Sequence, residues 1–81
     1  NIKFAFKANN IAMAENLNRI KVVLAEQRRT NKWLADQLAV NQTTVSKWCT
    51  NTTQPDLYTL NKAATVLGVD ITELLNSKLR K

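Results

Sequence analysis

Between Trp33 and Cys49 the chain reads WLADQLAVNQTTVSKWC, two apolar patterns of helical spacing separated only by Ala39, Val40 and Asn41. No other stretch constrains the fold so tightly. In each half the apolar residues recur three and four apart, the period of one helix face. Either half alone is too short to persist in water, because helix nucleation is unfavourable and few residues follow it. The two must stabilise each other. Thr30 or Asn31 is placed to cap the first helix, which runs to about Leu38. Asn41 is placed to cap the second, with its side chain reaching the amide of Thr43 or Thr44, and that helix runs from Gln42 to about Cys49. Leu34, Ala35 and Leu38 should face inward from the first helix, and Val45, Trp48 and Cys49 from the second. Val40 fills the angle between them, and Ala35 is small where the backbones approach.

The flanking sequence also reads as helix. From Glu15 to Arg28, Leu17, Ile20, Val23, Leu24 and Gln27 trace a stripe. Arg28 and Arg29 fall at its C-terminal end, where positive charge suits the helix dipole. Thr50 to Pro55 is a polar loop, in which Asn51 tolerates the left-handed conformation that ends many helices. Asp56 caps a fourth helix with the stripe Leu57, Leu60, Ala63, Ala64 and Leu67, and Gly68 stops it. Asp70 and Glu73 form a capping-box variant, with Glu73 reaching back, that opens a short fifth helix carrying Ile71, Leu74 and Leu75. With one glycine and one proline in the chain, tight hairpins are disfavoured. The expected fold is all-α, a five-helix bundle with a helix-turn-helix over residues 14–77, followed by a basic tail over 78–81.

Residues 1–13 differ. Ile2, Phe4 and Phe6 alternate with Lys3, Ala5 and Lys7, a period of two. A lone strand is unstable in water, so an extended arm of this kind would pair with another chain. Alternatively the arm is foreign to the natural protein, because the sole methionine is Met13 and MAENLNRIK makes a natural beginning.

The formal net charge of +6 suits a polyanionic partner. There is no histidine and a single cysteine, so neither a conventional zinc site nor an internal disulfide is expected, and a reducing compartment fits. No apolar run approaches a membrane span, and Ile2 to Ala8 is too short and too broken by lysine for a signal peptide. A cytoplasmic location is expected. Catalysis is disfavoured: the six carboxylates are dispersed, no histidine can act as a base, and there is no glycine-rich phosphate loop. No cofactor, metal or small-molecule ligand is expected. Clustered aromatics for stacking on single-stranded RNA are also lacking.

With Val45 and Trp48 inside, Gln42, Thr43, Ser46 and Lys47 share the outward face, since positions i, i+1, i+4 and i+5 neighbour one another on a helix. A helix fits the major groove of DNA. Glutamine can bind adenine through two hydrogen bonds, lysine can donate to guanine, and threonine methyls can meet the thymine methyl. The stretch Thr30 to Val69, TNKWLADQLAVNQTTVSKWCTNTTQPDLYTLNKAATVLGV, resembles the helix-turn-helix of the Cro and phage-repressor class, the XRE family. The likeness extends upstream to NRIK and downstream to DITELL. It rests on Leu34-Ala35, the turn, the recognition-helix pattern, the polar loop with Pro55, and the Leu67-Gly68-Val69 end. The resemblance implies a five-helix domain that binds operator DNA, usually as a dimer, and controls transcription. Three residues depart from the pattern. Ala39 stands where glycine is usual in the turn, Asn31 where many members carry a phosphate-contacting glutamine, and Trp48 where a smaller aliphatic residue is common.

For base edges the expected residues are Gln42, Thr43, Ser46 and Lys47. For phosphates they are Thr30, Asn31 and Lys32 at the start of the first helix of the motif. Asn41 and Thr44 flank the start of the second, and Thr50, Asn51, Thr52 and Thr53 lie in the loop. Specificity usually needs two copies, so a homodimer through the fifth helix, with the arm as a further contributor, is expected. The competing reading is an antitoxin-like protein-interaction module whose DNA binding serves autoregulation.

Overall fold

Thr30, Asn41 and Asp56 each start a helix. In the computed structural model, which describes residues 16–76, α1 spans Ile20–Glu26, α2 Asn31–Leu38, α3 Gln42–Cys49 and α4 Leu57–Leu67, and a 3-10 turn covers Ile71–Leu74. The Thr30 hydroxyl accepts from the Trp33 amide at 3.0 Å, Asn41 Oδ1 from the Thr43 amide at 3.1 Å, and Asp56 Oδ1 from the Thr59 amide at 2.8 Å. Each cap satisfies one of the amides a helix start leaves without a partner.

All four helices stop by one device. Arg28, Ala39, Asn51 and Gly68 take left-handed backbone, with φ of 58°, 56°, 59° and 69°. The amide of the following residue then bonds a carbonyl five positions back: Arg29 to Leu24, Val40 to Ala35, Thr52 to Lys47 and Val69 to Ala64, at 2.8–3.0 Å. The left-handed residue's own amide bonds three positions back in every case. This paired pattern closes the last turn and satisfies its carbonyls. Only Gly68 adopts that backbone without a steric penalty from Cβ. At Ala39 it costs about 1 kcal/mol.

The core joins all these elements. Ile20 of α1, Leu34 of α2, Val45 of α3 and Leu74 of the 3-10 turn are fully buried, and α4 contributes Leu60, Ala63, Ala64 and Leu67. Val40 is half-buried in the turn and packs against this core.

The structure corrects several expectations. There are four α-helices among the described residues, and the expected fifth is a single 3-10 turn. Leu75 leaves it in extended backbone and pairs with Asn18 in an isolated antiparallel bridge, which prevents the turn from propagating. The helix expected from Glu15 begins at Ile20, because residues 17–19 are committed to that pairing. The Arg19 amide donates to Leu74 O at 2.8 Å and the Asn76 amide to Leu17 O at 2.9 Å. Leu17 is therefore 37% exposed instead of lying on an inward stripe. Leu57, at the first position of α4, is 74% exposed instead of lying on the inward stripe. Glu73 does not complete a capping box. Asp70 caps Thr72 through both amide and hydroxyl, while the Glu73 carboxylate lies 3.8 Å from Arg19. The expected arm over residues 1–13, its pairing with another chain, and the tail over 78–81 lie outside the described residues.

Two stability measurements follow from these helix ends. Ala39→Gly should stabilise the fold by about 1 kcal/mol, read as a higher denaturant midpoint with an unchanged slope; an unchanged midpoint would mean the turn carries no strain. Hydrogen bonds from Thr59, its amide foremost and its side chain next, hold the Asp56 carboxyl below its ordinary range. A depressed folded-state value means this contribution is present above the unfolded-state value and lost as pH falls through the folded one. Asp56→Asn should therefore flatten the fall in thermal midpoint below about pH 4; an equally steep fall would contradict the assignment.

Candidate nucleic-acid interface

An eight-residue helix with two buried anchors can present only one free face, and α3 meets that description. Val45 has no exposed surface and Trp48 only 5%. Opposite them Gln42, Thr43, Ser46 and Lys47 are all exposed, and Thr44 is half-buried at the flank. The face is polar throughout and carries one cation, so it can offer donors and acceptors without an apolar surface that would favour collapse.

The start of α2 brings further polar groups. Thr30 is exposed, with its hydroxyl engaged as a cap. Lys32 is exposed and 3.2 Å from Asp36 one turn on. A surface pair of this kind contributes little and can exchange Asp36 for a stronger anion. Asn31 is half-buried, and its Oδ1 accepts from the Cys49 thiol at 3.3 Å. Burial pushes that thiol upward, and the Lys21 ammonium pulls it the other way more weakly. Cys49 is thus half-buried and links the end of α3 to the start of α2. Lys21, a cation close enough to be felt at this junction, was not singled out in the sequence, where nothing but its charge marks it. Trp33 is also half-buried, and the Arg29 guanidinium lies 4.2 Å from its ring centroid. That contact occupies Arg29 at the α1–α2 junction.

Beyond α3 the loop residues divide. Thr50, Thr52 and Thr53 are exposed. The Thr50 hydroxyl donates to the Lys47 carbonyl at 3.2 Å, and the Thr50 and Thr52 hydroxyls are 2.8 Å apart. Asn51 behaves differently. Its Oδ1 accepts from the amides of Leu17 at 2.9 Å and Asn18 at 3.0 Å, so its carboxamide turns toward the segment before α1. The structure therefore gathers Gln42, Thr43, Ser46 and Lys47 on one face, flanked by Asn41, and leaves Asn51 engaged with the body. Asn18 and Gln54 join Asn51 in an amide network at the end of α3. Their importance is invisible in local sequence because the bonds that tie Asn18 to the end of α3 span thirty or more positions.

Among the described residues no helix is long and apolar enough to cross a membrane. The family described as the Cro/C1-type HTH DNA-binding domain matches residues 19–78. The chain is also similar to a crystal structure of a candidate DNA-binding protein from Bacteroides fragilis. The two share 55% sequence identity with a TM-score of 0.73, over 74% of this chain and 97% of that one. Comparison with curated proteins gave no match.

Proposed function

Because the chain belongs to the Cro/C1-type helix-turn-helix DNA-binding domain family, we propose that it is a sequence-specific regulator of transcription that lays α3 in the major groove. The observation that carries this reading is the exposed polar face of α3. It holds Gln42 and Lys47, the two side chains with the longest reach toward base edges, on the side opposite the buried Val45 and Trp48. Gln42 and Thr43 at the first turn, and Ser46 and Lys47 one turn on, read bases. Thr30, Asn31, Lys32, Asn41 and Thr44 hold phosphates around the helix starts, and Thr50, Thr52 and Thr53 do so from the loop. Asn51 approaches the backbone through its position in that loop, since its carboxamide is already engaged.

A domain this small covers few base pairs, and two copies related by a two-fold axis supply the rest. Leu74 is used inside the core, so the contact between copies falls to the half-buried Ile71 and Leu75. Leu17 and Pro55 line an apolar groove beside Leu75 and extend that surface. Cytoplasmic localisation accompanies this reading.

Selection of bound sequences from a random duplex pool tests it. The expected result is a two-fold symmetric motif with half-site centres about 34 Å apart. Gln42→Ala or Lys47→Ala should relax preference at one base pair, costing about 1–3 kcal/mol of discrimination. Lys32→Ala should weaken every sequence alike and reduce the salt slope by about one. No selected motif, or substitutions without these effects, would overturn the reading.

A further inference from the structure

We propose that the amide network of Asn18, Asn51 and Gln54 determines specificity by positioning: it fixes the C-terminal half of α3 so that Ser46 and Lys47 keep a constant register with base edges. This inference rests on the reading of α3 as the recognition helix. Asn18 is the one buried polar side chain among the described residues, 5% exposed. A carboxamide in such a place is costly unless its hydrogen bonds are made. Asn18 engages its oxygen and both of its amide hydrogens at good length. Its Oδ1 accepts from the Ile20 amide at 3.0 Å, and its Nδ2 donates to the Trp48 carbonyl at 2.9 Å and to Gln54 Oε1 at 2.7 Å. Gln54 Nε2 then donates to Asn51 Oδ1 at 3.0 Å, the same oxygen that accepts from the amides of Leu17 and Asn18.

The network bridges two parts of the molecule. One is the end of α3, where the Trp48 carbonyl is one residue beyond Lys47 and Asn51 is the left-handed residue that stops the helix. The other is the segment 17–19, which is itself bound to residues 74–76 by backbone hydrogen bonds, with Arg19 Nη1 donating to the Glu73 carbonyl at 2.9 Å. The N-terminal end of α3 is held differently, through the short turn and the Asn41 cap. Between these ends the helix is anchored by Val45 and Trp48, whose burial is favourable but non-directional. Apolar packing alone permits small rotations and slides; the directional bonds of Asn18 and Asn51 do not. Loosening them lets the C-terminal end of α3 swing about its N-terminal end. Ser46 and Lys47 then lose register while Gln42 and Thr43 keep theirs.

The experiment compares base preferences of Asn18→Ala, Asn51→Gly, Asn51→Asp and Leu67→Val with those of the unsubstituted chain, each below its thermal transition. The base pair read by Lys47 is located with Lys47→Ala, and that read by Gln42 with Gln42→Ala. Glycine suits the φ of 59° at position 51, so Asn51→Gly removes the carboxamide without straining the turn. Asn18→Ala and Asn51→Gly should lose about tenfold discrimination at the Lys47 base pair and less than about twofold at the Gln42 base pair. Asn51→Asp keeps the accepting oxygen and gives up only the long 3.4 Å bond from Nδ2 to the Asn18 carbonyl, so it should retain the preference while its charge weakens all sequences. Leu67→Val, a core change in α4, should lower stability and leave the preference intact. The inference is overturned if both network variants keep the preference at the Lys47 base pair, or if Leu67→Val loses it equally. Failure of the unsubstituted chain to select any motif sinks the functional reading itself, a separate result.

Discussion

The burial of Val45 and Trp48 is the contact on which the molecule depends. Two side chains one turn apart hold an eight-residue helix that could not exist alone. Once they are inside, helical geometry leaves the opposite face no role in the core. That face carries glutamine, threonine, serine and lysine, residue types that bond to polar edges and gain little from burial. The exposed polar face is therefore a consequence of how the core is built. Val40 and the left-handed Ala39 set the turn that delivers α3 to this contact, so the strain at Ala39 belongs to the same arrangement.

Apolar packing and polar bonding divide the work. The core supplies the attraction, with a fully buried residue from each of α1, α2, α3 and the 3-10 turn. Directional bonds decide where the elements stop and how they sit. Four helix ends use one paired hydrogen-bond pattern, and three of them place a residue other than glycine in left-handed backbone. Such positions cost energy unless the surroundings fix them. Their presence around both ends of the helix-turn-helix shows that chain direction there is specified at the expense of local comfort. The amides of Asn18, Asn51 and Gln54 extend the same principle from the backbone to side chains.

Much of this was legible because it is local. Thr30, Asn41 and Asp56 announce helix starts by their own chemistry, and the spacing of Leu34, Leu38, Val45 and Trp48 marks the inward faces of α2 and α3. What escaped was non-local. Asn18 reads as an ordinary polar residue on a helix, yet its partners lie thirty or more positions away and draw it out of α1. The extended pairing of Asn18 with Leu75 likewise ends the expected fifth helix after one turn, a competition no single segment reveals. Leu57 matches the stripe of α4 but is left 74% exposed at its first turn. Arg28 gives no residue-type signal for left-handed backbone, unlike Asn51 and Gly68. At the candidate interface the exposure of Gln42, Thr43, Ser46 and Lys47 follows from helix geometry. The inward turn of the Asn51 carboxamide depends on the distant segment before α1.

The account turns on which surface meets DNA, and amide chemical-shift mapping of the nitrogen-labelled chain titrated with a selected duplex measures that directly. The account predicts the largest shifts across residues 30–32, 42–47 and 50–53, with the exposed face of α4 around Lys62 little changed. Shifts centred on α4 with the amides of α3 undisturbed would contradict it.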